Sequence, residues 1–219
     1  MDSQDIQNGS LAVSGGREIA PHINDLLRFP FALKIATKDH HPEGHVSFDT
    51  SHDPPNNEAF ESQVILTNLS NPSETMKTTL WPVHCIQGTP GSNLISEIDA
   101  SYFQIIVEKG RDKRVEMYSA FADVFGNKSD AANVDLAALL RRYAISHVYI
   151  VGLAGDYCVR YTATDAKREG FEVYVIEEGT RSVDSGQGGW GAARQELQGA
   201  GVQVISIKSP QVDKVKNLD

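Results

Sequence analysis

Residues 147–178 read HVYIVGLAGDYCVRYTATDAKREGFEVYVIEE, and they decide the fold. The runs 147–154 (HVYIVGLA) and 171–178 (FEVYVIEE) are nearly continuous in apolar and β-branched residues, the pattern of strands covered on both faces. Between them, 159–168 has helical character. Working outward, 31–37 (FALKIAT), 101–108 (SYFQIIVE) and 202–208 (VQVISIK) read as further buried strands. Helices are expected at 17–28, where Ile19, Ile23, Leu26 and Leu27 share a face, and at 134–143, with Asn133 as N-cap. A weaker helical pattern covers 192–199. Strands alternating with helices predict an α/β, three-layer, doubly wound and mostly parallel sheet. Residues 49–79 are polar and turn-rich, and are expected to form a long surface excursion. The whole chain, 1–219, is expected to be one domain. No apolar strand precedes the first helix, so the first central strand of such a sheet is expected to be missing.

The 219 residues are 40% hydrophobic and 22% charged, ordinary for a globular protein. A net charge of −9 and no long basic stretch argue against nucleic acid as a partner. No apolar run is long enough to span a membrane, and the polar start MDSQDIQNGS has no signal-peptide core. The cytoplasm is the expected location, with the nucleus left open. Two cysteines, Cys85 and Cys158, are too few for a disulfide framework.

Ligands of an open parallel sheet sit beyond the carboxyl ends of its strands. Those ends deliver Asp39, His40, His41 and His45 after one strand, Lys109 after another, and Cys158 after a third. The long excursion ends in WPVHC, adding His84. Asp39 with His41 and His84 suits zinc, iron or manganese and leaves positions open for water or substrate. His40 and His45 add ligand capacity. Cys158, opening a helix, reads either as a small buried hydrophobe or as a nucleophile. The helix dipole and a cation such as Lys109 would stabilise its thiolate, and the Ala154 and Cys158 amides could form an oxyanion hole. Lys109 alone would be an ordinary surface lysine, and Cys85 reads as packing.

Taken together, GSLAVSGG (9–16), TKDHHPEGHVSF (37–48), LWPVHCIQGTPGS (80–92), VEKG (107–110), YSAF (118–121) and VGLAGDYCVRYTATDA (151–166) resemble the nicotinamidase/pyrazinamidase branch of the isochorismatase-like cysteine hydrolases, most closely the fungal type. The resemblance implies an amidohydrolase that converts nicotinamide to nicotinate and ammonia in NAD salvage. It implies Asp39, His41 and His84 as ligands of one divalent metal, zinc foremost, with His45 as a further candidate. It implies Lys109 and Cys158 as catalytic residues, a cis Leu153–Ala154 bond at the oxyanion hole, and Trp81 and Tyr118 near the substrate ring. Trp81 and Tyr118 read equally as core aromatics. The implied partner is a small molecule; a homo-oligomer is left open.

One departure stands out. The family's first strand ends in an aspartate that completes the catalytic trio, within a Val-Asp-x-Gln pattern upstream of GSLAV. Only eight residues precede Gly9 here, and Asp2-Ser3-Gln4 is the nearest remnant, with Ile6 a poor match for the pocket aromatic. The alternative to an active enzyme is therefore a catalytically dead metal- and ligand-binding paralogue. The chain as written is expected to be unstable and inactive, or active only in traces, unless Asp2 or Asp5 serves as base.

Overall fold

The computed structural model describes residues 9–128 and 131–218. The expectations about Asp2, Asp5 and Ile6 lie outside the described residues.

Among the described residues, seven strands and five α-helices are formed. The strands are β1 (Ile35–Asp39), β2 (Gln63–Asn68), β3 (Asn71–Thr79), β4 (Ile105–Lys109), β5 (His147–Gly152), β6 (Glu172–Thr180) and β7 (Gln203–Ile205). The helices are α1 (Ala20–Leu27), α2 (Leu136–Arg142), α3 (Arg160–Arg168), α4 (Ala192–Gly199) and α5 (Pro210–Lys216). β1 pairs β4 in parallel, and β5, β6 and β7 form a second parallel sheet in that order. Among the described residues β1 and β5 are not bonded to each other.

Strand β6 shows why the layers form. Its side chains alternate between faces, as the period of a strand requires. Val173 and Val175 join a cluster with Leu136 and Leu140 of α2, Ala163 and Ala166 of α3, and Leu197 of α4. Ile176 points the other way, to Leu26 of α1 and Val212 of α5. Both faces are thus covered, and the α/β three-layer class follows. Each fully buried valine, leucine or isoleucine among them contributes ~1.5–3 kcal/mol.

Four expectations need correction. Residues 49–79, expected to be turn-rich, contain regular strands: β2 and β3 form an antiparallel hairpin within them. Its strands are largely exposed, so polar residues such as Ser73 and Thr75 occupy them without burial cost. The N-cap of α2 is Asp135, which accepts from the Ala138 amide, rather than Asn133. The Asn133 side chain bridges β4 instead, accepting from the Glu108 amide and donating to the Ile106 carbonyl. The first strand starts at Ile35 rather than 31, because Phe31 turns edge-on to the Tyr149 ring. The last strand stops at Ile205, where the Glu178 carboxylate takes the Ser206 hydroxyl and the Ile207 amide.

Candidate active site

The carboxyl ends of β1, β4 and β5 meet at one edge. β1 and β4 are in register at their last residues, Asp39 opposite Lys109. Both side chains are buried and form an ion pair. Burial alone would raise the Asp39 carboxyl. The Lys109 ammonium overcomes this, with smaller contributions from His41 and His84, and holds it well below the ordinary carboxylate range. Burial would likewise lower Lys109, but the charge of Asp39, then that of Cys158, raises it above its ordinary value. Lys109 is therefore a fixed buried ammonium and not the surface lysine its position in sequence allowed. Its Nζ also donates to the Met117 carbonyl at 3.0 Å and lies 3.4 Å from Cys158 Sγ.

Cys158 sits in a π-turn, Gly155–Val159, that leads directly into α3. The bond before this turn, Leu153–Ala154, is cis. Gly155 is required by crowding: a Cβ there would stand 2.5 Å from Ser182 Oγ and 2.9 Å from Thr180 Cγ2. Its amide donates to the Arg181 carbonyl at 2.8 Å. The buried Asp156 carboxylate accepts from the Val183 and Asp184 amides at 3.0 and 2.9 Å. The turn that presents the thiol is thereby tied to the segment after β6. Cys158 is half-buried, whereas Cys85 is wholly buried at 0% exposure. Brief alkylation followed by mass spectrometry is therefore expected to label Cys158 much faster than Cys85; preferential labelling of Cys85 would contradict the arrangement.

His41 and His84 approach from β1 and from the WPVHC segment, with ring centroids 5.0 Å apart. His41 Nδ1 lies 2.9 Å from the Gly110 carbonyl, and His84 Nδ1 lies 2.8 Å from the Pro82 carbonyl. Donation to those oxygens leaves each Nε2 as the lone-pair nitrogen, the usual arrangement behind a metal-binding imidazole. Gly110, at φ 68°, is needed beside His41: a Cβ there would fall on the ring. Burial, then His45, holds His41 well below the ordinary imidazole value. His45 is wholly buried, 4.2 Å from His41 between centroids, and burial followed by His84 lowers it to about 4. Its Nδ1 pairs with Ser47 Oγ, while its Nε2 has no hydrogen-bond partner. Asp39, His84 and Cys85 can each bring one ligand atom within 4.8 Å of the others. The imidazoles of His41 and His45, held neutral by burial, the ionised Asp39 carboxylate and the unsatisfied Nε2 of His45 fit a divalent cation. His40 stands apart, with its Nε2 3.7 Å from Glu108 Oε2.

A small cavity of about 40 Å³ gathers these groups. Asp39, His41, His84, Ala154 and Cys158 line it together with Trp81 and Tyr118. Trp81 Nε1 donates to Tyr118 Oη at 3.1 Å, and Tyr118 Oη lies 2.8 Å from Thr78 Oγ1. These two aromatics are thus buried packing residues and cavity walls at once. Sequence reading missed two further polar wall residues, Tyr157 and Glu116. Tyr157 packs edge-on to Trp81, with centroids 4.9 Å apart. Glu116 is a buried carboxyl, raised by burial and then by the charge of Asp39. Tyr157 lies inside the GDYC run, where its proximity to the thiol was a usable signal. Glu116 lies in an irregular segment with no periodicity to reveal it.

Comparison with known proteins follows the same lines. The model of the isochorismatase domain matches residues 3–209. The chain belongs to the isochorismatase family. Within that family, it is 35% identical over 215 residues to a nicotinamidase of Acinetobacter baylyi, covering 94% of this chain and 91% of the relative. The crystal structure of the yeast nicotinamidase Pnc1p superposes with a TM-score of 0.84 at 29% identity, over 93% of this chain and 96% of that one. A Pyrococcus horikoshii pyrazinamidase, solved in complex with zinc, gives a TM-score of 0.70 at 29% identity, over 94% of each chain. The α/β class expected from the sequence is the class of these family structures. Among the described residues, no helix is long and apolar enough to cross a membrane.

Proposed function

We propose that the chain is a nicotinamidase, hydrolysing nicotinamide to nicotinate and ammonia through a thioester on Cys158. The observation that carries this reading is one cavity lined by Cys158, Asp39, His41 and His84, with the buried Lys109 ammonium 3.4 Å from the thiol. Full-length likeness to nicotinamidases points to the same chemistry, and the catalytically dead alternative is not favoured. We read residues 1–219 as one domain acting on a small-molecule amide.

In this mechanism the Lys109 ammonium stabilises the Cys158 thiolate. The sulfur attacks the amide carbon, and the carbonyl π electrons move onto oxygen. The backbone amides around Ala154 and Cys158 face that charge. The thiol proton passes to solvent water; collapse breaks the C–N bond, and the nitrogen leaves as ammonia after taking one proton back from water. Water then cleaves the thioester, releasing nicotinate and restoring the thiol. Trp81, Tyr118 and Tyr157 wall the ring site. Asp39, His41 and His84 would hold the metal, zinc foremost and iron or manganese as the other candidates, with His45 beside them. Bound there, such an ion supplies a Lewis-acidic anchor that orients a ring nitrogen or a water. At about 40 Å³ the cavity is smaller than a pyridine carboxamide, so binding one would require its walls to part.

The reading is tested by metal analysis combined with an ammonia assay. Zinc-loaded protein is expected to release ammonia from nicotinamide. His84→Ala is expected to lower metal content at least as much as His45→Ala, and Asp39→Ala/His84→Ala to lose the metal. Full occupancy in the double variant would place the metal elsewhere. No ammonia from metal-loaded protein would refute the activity.

A further inference from the structure

The turn that carries the thiol and the outer wall of the small cavity are joined through one side chain. Val183 lines that cavity, and among the described residues that do so it alone is exposed, at 38%. Other walls are fixed: Trp81, Tyr118, His41 and His84 are buried, and Trp81 and Tyr118 are hydrogen-bonded to each other. Residues 183–188 are exposed throughout. The bonds this segment makes within itself, from the Gly186 amide to Asp184 Oδ1 at 2.7 Å and from the Trp190 amide to the Asp184 carbonyl at 2.8 Å, shape it but do not place it against the cavity.

The side chain that places it is Asp156, which is 6% exposed. One carboxylate oxygen accepts from the Val183 amide at 3.0 Å and the other from the Asp184 amide at 2.9 Å. A buried carboxylate is costly unless its oxygens are satisfied, and here each takes one N–H. A carboxamide of the same shape has one acceptor and one donor, and would turn its own N–H groups toward one of those two amides. The pattern therefore asks for a carboxylate. Asp156 also stands two residues before Cys158 in the π-turn, and its carbonyl accepts from Arg160 Nε at 3.0 Å. A shift of this one residue is passed to the nucleophile on one side and to Val183 on the other.

We propose that Asp156 is a positioning residue for the amidase reaction. It fixes the distance between Cys158 Sγ and the Val183 wall, and so sets both the rate of attack and the bulk of ring that the site admits. A cavity of about 40 Å³ takes a pyridine ring only by parting its walls, so the hold on its one exposed wall decides which rings enter. Misplacement of a nucleophile by ~1 Å costs up to ~10²-fold in rate. The proposal rests on the amidase reading.

The test compares the zinc-loaded parent with Asp156→Asn and with a matched control, Asp123→Asn. Asp123 is likewise buried and accepts two backbone amides, those of Phe125 and Asn127, but it is not among the cavity walls. In Asp156→Asn the Val183 and Asp184 amides are expected to exchange with deuterium about tenfold faster relative to the Gly186 amide, the effect of a lost hydrogen bond. Its kcat on nicotinamide is expected to fall about tenfold or more. Its preference for nicotinamide over the singly ring-methylated nicotinamide that the parent rejects most strongly is expected to narrow about threefold or more. Asp123→Asn is expected to lower the thermal midpoint and leave that preference unchanged, because a weakened fold scales both substrates alike. An unchanged preference in folded Asp156→Asn, or an equal change in Asp123→Asn, would overturn the proposal. Should Asp156→Asn not fold, the parent decides: its Val183 and Asp184 amides are expected to be protected, and Val183→Ala to narrow the preference, while unprotected amides or an unchanged preference would overturn the proposal. Ammonia from neither parent nor variant would instead refute the amidase reading itself.

Discussion

Cys158→Ala is expected to abolish ammonia release from nicotinamide, by ~10³-fold or more, while leaving the fold and the metal content unchanged. The sulfur is the atom that forms the bond to the amide carbon, and no other described thiol can replace it: Cys85 is wholly buried. Cys158 is only half-buried, at the start of α3, so truncation removes little packing. Circular dichroism and elemental analysis would check the second half of the expectation. Retention of more than a tenth of the activity would mean that a metal-held water attacks the amide directly, and that the thiol is a bystander.

Lys109→Met has the second largest expected effect, and it acts on two observables. The substitution keeps most of the apolar stem of the side chain but removes the ammonium that stands 3.4 Å from Cys158 Sγ and pairs with Asp39. Losing the charge that favours the thiolate should lower turnover by ~10²–10⁴-fold. It also strands a buried carboxylate. Breaking one side of a buried ion pair costs ~3–5 kcal/mol, because the remaining charge is left without compensation. Urea unfolding of the metal-free protein should reveal that loss. Added metal should restore part of it, since Asp39 would again face a cation. Equal stability with and without Lys109 would show that the pair does not hold the β1 and β4 ends together.

How far the sequence could be read depends on what each segment is made of. β5 and β6 were legible because both faces are covered, so HVYIV and FEVYVIEE carry an unbroken apolar signal. The β2–β3 hairpin was not, because its strands lie on the surface and are built from Asn, Ser, Thr and Glu, whose pattern says turn rather than strand. α5 is seven residues long and buries only Val212 and Val215, too little for a helical period to stand out. Asn133 and Asp135 are both good caps by type, and the choice between them is tertiary: Asn133 is engaged by β4. In the site, Asp39, His41, His84, Lys109 and Cys158 were legible because each follows a strand or a dense motif at one sheet edge. Glu116 and the orphaned Nε2 of His45 were not, since both acquire meaning only from burial.

The most direct test is to find the covalent intermediate. Metal-loaded protein would be mixed with nicotinamide, quenched in acid within the first turnover, digested and weighed by mass spectrometry. The account predicts a nicotinoyl group on the peptide that carries Cys158, formed together with ammonia and absent from Cys158→Ala. Ammonia released at full rate with no acyl group on Cys158 at any quench time, and undiminished after alkylation of that thiol, would contradict it.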